Sequence, residues 1–188
     1  SDGGTAATLQ MEAELEKLKQ CIAQASSPIK PQKETLSLER TIQETTISKI
    51  DFDNWFKKSF VISENNRHVA YAKEKGGLMF ITHDLNVGDG YDDTGFPTLR
   101  PNGERVAYSA KIDEGWTVVV DEEKGKIYDG VGSSVFSPDS ERVAFFAKAT
   151  GKCMVVVDGE EGKLYIDVGS PVFSPDSKRV AFFAKTTG

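Results

Sequence analysis

Aspartate recurs at a fixed spacing in this 188-residue chain, and paired aspartates can serve as general acid and base. Asp121 and Asp158 are 37 residues apart, and so are Asp139 and Asp176. An active site needs its carboxylates once, whereas a turn that is built repeatedly needs the same side chain each time. The recurrence therefore predicts that these aspartates hold turns, by accepting hydrogen bonds from nearby backbone N–H groups.

A calcium site is the second chemistry that the carboxylates suggest. The segment from Asp84 to Gly95 is dense in aspartate and glycine, and carboxylate oxygens suit calcium. As an EF-hand loop it fails, because Asp89 falls where the invariant glycine is required and Gly95 where the closing glutamate is required. We expect a hairpin loop here instead of a metal site.

Histidine and cysteine offer little further metal or nucleophilic chemistry. His68 and His83 are the only histidines, and neither has a partner at the ligand spacing of a zinc site, so we expect ordinary strand residues. Cys153 is expected to pack within a strand. Cys21 is either a single thiol or a cross-link between two helices, and two such different cysteines leave the redox compartment open. The sequence predicts no metal and no cofactor.

The motifs of nucleophilic and nucleotide chemistry are missing as well. No G-x-S-x-G elbow, P-loop or G-x-G-x-x-G follows any strand-like run. The run GVGSS (130–134) resembles a nucleophile loop only superficially, because Gly132 and Ser134 fall in the turn before a strand. We therefore expect no catalytic residues, and a chain that is not an enzyme on its own.

A repeat positions all of these residues. The phrase FSPDSERVAFFAK (136–148) returns as FSPDSKRVAFFAK (173–185), and LRPNGERVAYSAK (99–111) is a looser copy. The period is 37 residues without slippage, as four valines show: Val69, Val106, Val143 and Val180. A fixed period of this length is typical of proteins built from stacked repeats.

Each copy has the composition of four short strands separated by turns. In the third copy the pattern predicts strands near 134–136, over 142–148, over 153–157 and around 163–166. Asp139 and Ser140 are expected to bond backbone amides in the SPDS turn, and Gly125 and Gly162 to supply positive φ in hairpins. The apolar run VVV before Asp158 predicts a strand that is covered on both faces.

The first 58 residues follow other rules. Apolar residues recur at spacings of three and four from Met11 to Ala25, which predicts a helix over 7–25 that could form a coiled coil. We divide the chain into a helical segment with a proline-containing linker (1–33), a polar connecting segment of unassigned structure (34–58) and the repeats (59–188). Trp55, Phe56 and Phe60 lead into the first copy, and a partner-binding aromatic patch is the alternative reading.

The repeated SPDS phrases followed by a basic residue and an apolar strand resemble the TolB-type, WD-repeat-like β-propeller repeats of bacterial proteins. The resemblance covers roughly residues 59–188, although the period is shorter than the usual blade of that family and WD dipeptides are absent. It implies an all-β fold, a partial β-propeller of about three and a half four-stranded blades preceded by a short helix. It also implies a periplasmic or extracellular location, and no signal peptide is visible in this chain.

Charge and hydropathy narrow the function classes. The net charge of −6 and the pI near 5.1 argue against a nucleic-acid-binding surface, and no run is apolar enough to span a membrane. We expect a non-catalytic protein- or peptide-binding or scaffolding module, cut from a longer protein. The alternative is the substrate-filtering propeller of a larger serine peptidase of the prolyl-oligopeptidase kind. Self-association, through residues 7–25 or through open propeller edges, is a further hypothesis.

Overall fold

The computed structural model describes residues 19, 44–50 and 53–186, and the last of these ranges is built almost entirely of β-strands. The one regular helix within 44–50 and 53–186 is a 3-10 turn, Lys57–Ser59. The helix predicted over residues 7–25 lies outside the described residues apart from Lys19. No helix in the described ranges has the length and the apolar composition needed to cross a bilayer.

The copies of the repeat fold as successive antiparallel sheets. The first two copies each form four strands in chain order: β1 (Val61–Ile62), β2 (Val69–Lys75), β3 (Leu78–His83) and β4 (Asn86–Tyr91), then β5 (Thr98–Leu99), β6 (Val106–Ile112), β7 (Gly115–Val120) and β8 (Glu123–Lys124). The third copy has an additional short strand: β9 (Gly130–Val131), β10 (Val135–Phe136), β11 (Val143–Ala149), β12 (Lys152–Val157) and β13 (Glu160–Glu161). The predicted all-β fold of four-stranded antiparallel sheets is confirmed.

The last copy forms two short ladders within the described residues. Its strands are β14 (Asp167–Val168), β15 (Val172–Phe173), β16 (Val180–Ala181) and β17 (Ala184–Lys185), and β14 pairs with β17 while β15 pairs with β16. These positions correspond to the first two strands of the earlier copies.

The first strand of a copy is interrupted, and both of its pieces pair with the long second strand. In the third copy, β10 pairs with the beginning of β11 and β9 with its end, where Val131 lies opposite Ala147. A single bridge between Thr94 and Ala110 takes the place of β9 in the second copy. The first copy places the 3-10 turn Lys57–Ser59 between the bridging residue Trp55 and β1. The long second strand is therefore hydrogen-bonded along both ends of that edge.

The fourth strand of a copy lies closer to the third than the sequence pattern predicts. The third copy was expected to have a strand around 163–166, but β13 covers Glu160–Glu161 and only Tyr165 bridges back, to Cys153. The hairpin is tight because Asp158 and Gly159 both have left-handed backbones, with φ of 52° and 83°. Two such residues make the two-residue turn that matches the twist of the flanking strands.

The positive φ expected at Gly125 and Gly162 is wrong. The left-handed positions precede them in both hairpins, at Asp121 and Glu122 in the second copy. Gly162 serves close approach instead: its N–H donates to the carbonyl of Val155 at 3.0 Å, and a Cβ at this position would lie 2.8 Å from that oxygen. An alanine would force the two strands apart at this point.

The central strands are buried on both faces, as the run of valines predicts. Val118 belongs to an apolar cluster shared by the second and third sheets, whereas its neighbour Val119 belongs to one shared by the first and second. Consecutive residues of a strand point to opposite faces, so the second sheet is covered on both sides by its neighbours. Each fully buried valine contributes roughly 1.5 to 3 kcal/mol of apolar burial.

The first strands of successive copies lie beside one another: β1 next to β5, β5 next to β10, and β10 next to β15. Residues 44–50 pack against the first copy, where the Ser48 hydroxyl donates to the carbonyl of Asp84 and the Tyr71 hydroxyl to that of Lys49. Because the first strands adjoin, the sheets meet along the edge that these strands form.

Candidate functional site

The recurring aspartate at the end of the third strand ties that strand to the second. Asp158 accepts a hydrogen bond from the Val143 N–H through Oδ1, at 2.9 Å, and pairs with Arg142 through Oδ2, at 2.8 Å. Asp121 bonds Val106 and Arg105 in the same way. A carboxylate is used at this position because its two oxygens serve the backbone and the guanidinium at once.

The SPDS turn is held by the serine before the proline. In the third copy, the Ser137 hydroxyl donates to the Asp139 carboxylate and accepts the N–H of Arg142 at 2.9 Å. Asp139 in turn accepts the N–H of Glu141, as predicted, whereas Ser140 contributes a left-handed backbone with φ of 66°. The hydrogen bond from Ser137 holds the pKa of the Asp139 carboxyl below its usual value.

The first turn bonds to the second, and the third turn bonds to the fourth. The Asn65 amide donates to the carbonyl of Asn102 at 2.8 Å, from the first turn to the second. Between the third and fourth turns, the Asp139 N–H donates to the Ser177 hydroxyl, and the Arg142 guanidinium donates to the Ser177 carbonyl at 3.3 Å. These polar residues therefore hold the first copy against the second and the third against the fourth.

Outer strands of neighbouring copies are also linked. Glu161 in β13 accepts hydrogen bonds from Lys126 at 3.1 Å and from the Tyr128 hydroxyl at 3.2 Å. Burial, with the Glu161 carboxylate beside it, raises the pKa of Tyr128 to about 12. Hydrogen bonds from Lys126 and Tyr128 lower the pKa of Glu161. This cluster therefore ties the third sheet to the segment that follows the second.

The four adjoining first strands present an apolar surface, which we name the inner-strand surface. None of its residues is buried: Val61, Ile62, Thr98, Leu99, Val135, Phe136, Val172 and Phe173. Ile62, on the first of these strands, is 51% exposed, and Val172, on the last, is 59% exposed. Because Val172 takes the register position of Val61, the side chains of Ile62 and Val172 point to opposite faces of their strands. A groove of about 320 Å³ runs between β1 and β5 and is lined by Pro97 and Pro101 as well as these strands.

The two histidines meet around one aspartate, at the junction of the first and second copies. His68 Nδ1 lies 2.8 Å from Asp84 Oδ2, and His83 Nε2 lies 3.9 Å from the same oxygen. The three ligand atoms are all within 4.8 Å of one another, and the three side chains are half-buried. His83 Nε2 also lies 2.8 Å from the carbonyl oxygen of Gly103 in the next turn.

His83 lies in β3, as expected, whereas His68 lies one residue before β2, and the meeting of the two was not predicted. His68 occupies the position of Arg105 and Arg142 in the later copies, and His83 that of Val120 and Val157. In the third copy Arg142 alone reaches both Asp158 and the Ser177 carbonyl, whereas in the first copy His68 meets the aspartate and His83 meets the carbonyl. The available clue in the sequence was that the first copy departs from the repeat at both His68 and His83 while it keeps the recurring aspartate, Asp84.

The other candidate residues are spread over the sheets. The segment predicted as a hairpin loop, from Asp84 to Gly95, contains β4, and Asp89 within it pairs with Lys124 at 3.0 Å. Ser134 is buried, and its hydroxyl has no hydrogen-bond partner among the described residues. Cys153 is buried in β12, as expected, and Cys21 lies outside the described residues.

The aromatic residues before the first sheet pack edge to face. The Trp55 ring lies 6.0 Å from Phe60 and 6.1 Å from Tyr71, both in T-shaped arrangements. Phe56 and Phe60 are about two-fifths exposed. Trp55 thus anchors the entry into β1, and the patch prediction rests on the two phenylalanines.

Comparison with known proteins gives structural likenesses but no match to a family or to a curated protein. Among solved structures the chain is similar to the crystal structure of TolB from Acinetobacter baumannii, with 16% identity and a TM-score of 0.45 over 69% of this chain and 38% of that one. The chain thus spans well under half of that protein. The match agrees with the resemblance to TolB-type repeats and says nothing about function.

Proposed function

We propose that this chain is a non-catalytic protein- or peptide-binding module, or a scaffold of the same kind, built as a partial β-propeller of about three and a half blades. The observation that carries the proposal is the inner-strand surface. It brings partly exposed apolar side chains from four copies side by side, and Ile62 and Val172, on its first and last strands, are each more than half exposed.

The propeller arrangement is supported by how the sheets meet. Successive sheets share apolar clusters face to face, and their first strands converge. Sheets that stack face to face while their first strands adjoin are arranged as the blades of a propeller are, which is how propellers limit their exposed strand edges. The two short ladders of the fourth copy, β14 with β17 and β15 with β16, count as half a blade.

Binding suits this geometry better than catalysis does. The recurring carboxylates Asp121, Asp139 and Asp158 are engaged in turns and ion pairs. The inner-strand surface, by contrast, is apolar and stands on a hydrogen-bonded backbone, so a partner could bind without a costly rearrangement. The peptidase-filter alternative, the exclusion of nucleic acid and self-association through residues 7–25 or open edges stay predictions.

A peptide selection tests the proposal. Peptides enriched from a random phage-displayed library on the purified chain would be synthesised, and their affinities measured by fluorescence anisotropy. Ile62→Lys with Val172→Lys should weaken them about tenfold or more, equivalent to about 1.4 kcal/mol, because a charge is placed in the apolar contact. The matched control is Leu85→Lys with Ile127→Lys, which alters side chains that are 66% and 57% exposed outside that surface.

The outcomes separate cleanly. Binding that survives the control and is lost in the test variant supports the inner-strand surface as the docking site. Failure to enrich any peptide, or equal losses in both variants, contradicts it. Hydrolytic turnover by the purified chain would contradict the non-catalytic part of the proposal.

A further inference from the structure

We propose that His68, His83 and Asp84 form a binding site for a divalent transition metal ion of the zinc class, at the junction of the first two copies. Two imidazoles and one carboxylate are a common protein ligand set for zinc, with water at the remaining position. The inference is independent of the proposed docking surface, because none of the three residues belongs to that surface.

The distances between ligand atoms suit a metal ion. With bonds of about 2.0 to 2.2 Å, the ligands of a tetrahedral zinc site are roughly 3.3 Å apart. The separations from Asp84 Oδ2 are 2.8 Å to His68 Nδ1 and 3.9 Å to His83 Nε2, which bracket that value. Small side-chain rotations would equalise them. His83 would exchange its contact with the Gly103 carbonyl for the metal.

The carboxylate is already oriented toward the two rings. Asp84 Oδ1 accepts the N–H of Val69 at 2.9 Å, which leaves Oδ2 facing the histidines. The backbone carbonyl of Asp84 accepts the Ser48 hydroxyl at 2.6 Å. Outer contacts of this kind hold a ligand in place before the metal arrives, so less ordering is needed on binding.

The later copies provide an internal control. They keep the aspartate, as Asp121 and Asp158, but place an arginine and a valine where the first copy has its histidines. A guanidinium stays protonated and cannot bind a metal. The same backbone therefore occurs with and without the ligand set, and the proposed site belongs to the first copy alone.

The experiment is a titration of the full 188-residue chain carrying Cys21→Ser, which removes a thiol that could bind the same ions. Zinc chloride is added in a calorimeter, and cobalt(II) chloride is added in parallel while the visible absorption of tetrahedral cobalt is recorded. We expect one ion per chain, bands without thiolate-to-cobalt charge transfer, and a higher midpoint of thermal unfolding in the presence of zinc.

The matched variant is His68→Arg with His83→Val, which installs the residues of the later copies and should therefore fold. It should lose the cobalt bands and the calorimetric signal. The single variant His83→Val gives the same test if the double variant does not fold. Even an outer-shell loss weakens metal sites about 10- to 100-fold, so this ligand loss should weaken zinc binding at least about tenfold. Absence of binding, or binding that is unchanged in these variants, overturns the proposal.

Discussion

The first and third copies share one backbone plan but hold it with different side chains. In both, the long second strand runs for seven residues, at β2 and β11, and an aspartate after the third strand accepts the N–H that begins it. Around this plan the third copy has Asp139, Arg142 and Val156, where the first has Asn65, His68 and Thr82.

The comparison teaches which positions the fold requires. The aspartate after the third strand recurs because the hairpin there depends on its left-handed backbone, with φ near 50° at both Asp84 and Asp158. The bridging residue is less restricted, since an arginine or two histidines can connect a copy to the turn of the next one. The first copy can therefore carry separate chemistry at little cost to the fold.

The largest expected effect on stability is at Gly103, whose carbonyl His83 contacts. Gly103→Ser would install the serine found at position 177, but a Cβ at Gly103 would lie 2.6 Å from Ser63 Cβ and His68 Cδ2, at a φ of +80°. Overpacking and backbone strain should lower the free energy of unfolding by about 2 to 3 kcal/mol, measured in urea.

Its control is the reverse change, Ser177→Gly, which should cost about 1 kcal/mol or less through one lost hydrogen bond and a looser unfolded chain. Equal effects of the two substitutions would mean that the turn at Gly103, which packs against His68, is no more tightly packed than the turn at Ser177, which Arg142 contacts.

A middle-sized effect of opposite sign is expected in the sheet core. Thr82 is 3% exposed, and its hydroxyl has no hydrogen-bond partner among the described residues, whereas the third copy has Val156 at that position. Thr82→Val should raise the free energy of unfolding by about 1 kcal/mol, because it removes an unsatisfied buried hydroxyl. Val156→Thr should lower it by a similar amount. A destabilised Thr82→Val protein in urea unfolding would reveal a partner for that hydroxyl.

The smallest expected effect is on how the free energy of unfolding depends on pH in acid. Hydrogen bonds from Ser137 and Ser174 hold the pKa values of Asp139 and Asp176 below the usual 3.8, whereas Asn65 does the same work in the first copy without charge. Below pH 4 or so the unfolded chain binds protons that the folded chain does not, so these two turns lose stability as pH falls through the folded pKa values.

Asp139→Asn with Asp176→Asn should therefore make the free energy of unfolding less dependent on pH in that acid range, as measured by urea titrations at successive pH values. Asn65→Asp should make it more dependent. If the free energy of unfolding falls equally with pH in the unchanged protein and in both variants, these turns do not contribute to acid sensitivity.

Much of the fold could be predicted from local patterns. The 37-residue period, the SPDS turns and the doubly covered valine strands depend on residues close in sequence, and the structure has them where expected. The fourth strand and the role of Gly162 could not be predicted in this way. They depend on whether Asp158 adopts a left-handed backbone, which a bulky non-glycine residue rarely does and a hydrogen-bonded aspartate can.

The repeat, the strand composition and the recurring aspartates can all be read from the amino-acid sequence, because each copy must satisfy the same backbone hydrogen bonds. The three-dimensional fold was needed to bring His68 and His83 together at Asp84 and to place the first strands of successive copies side by side. Antiparallel pairing places His83 opposite Ala70 and so brings it near His68, which is 15 positions earlier in the chain. The stacking of the sheets brings the first strands together. Spacing along the chain does not encode either contact.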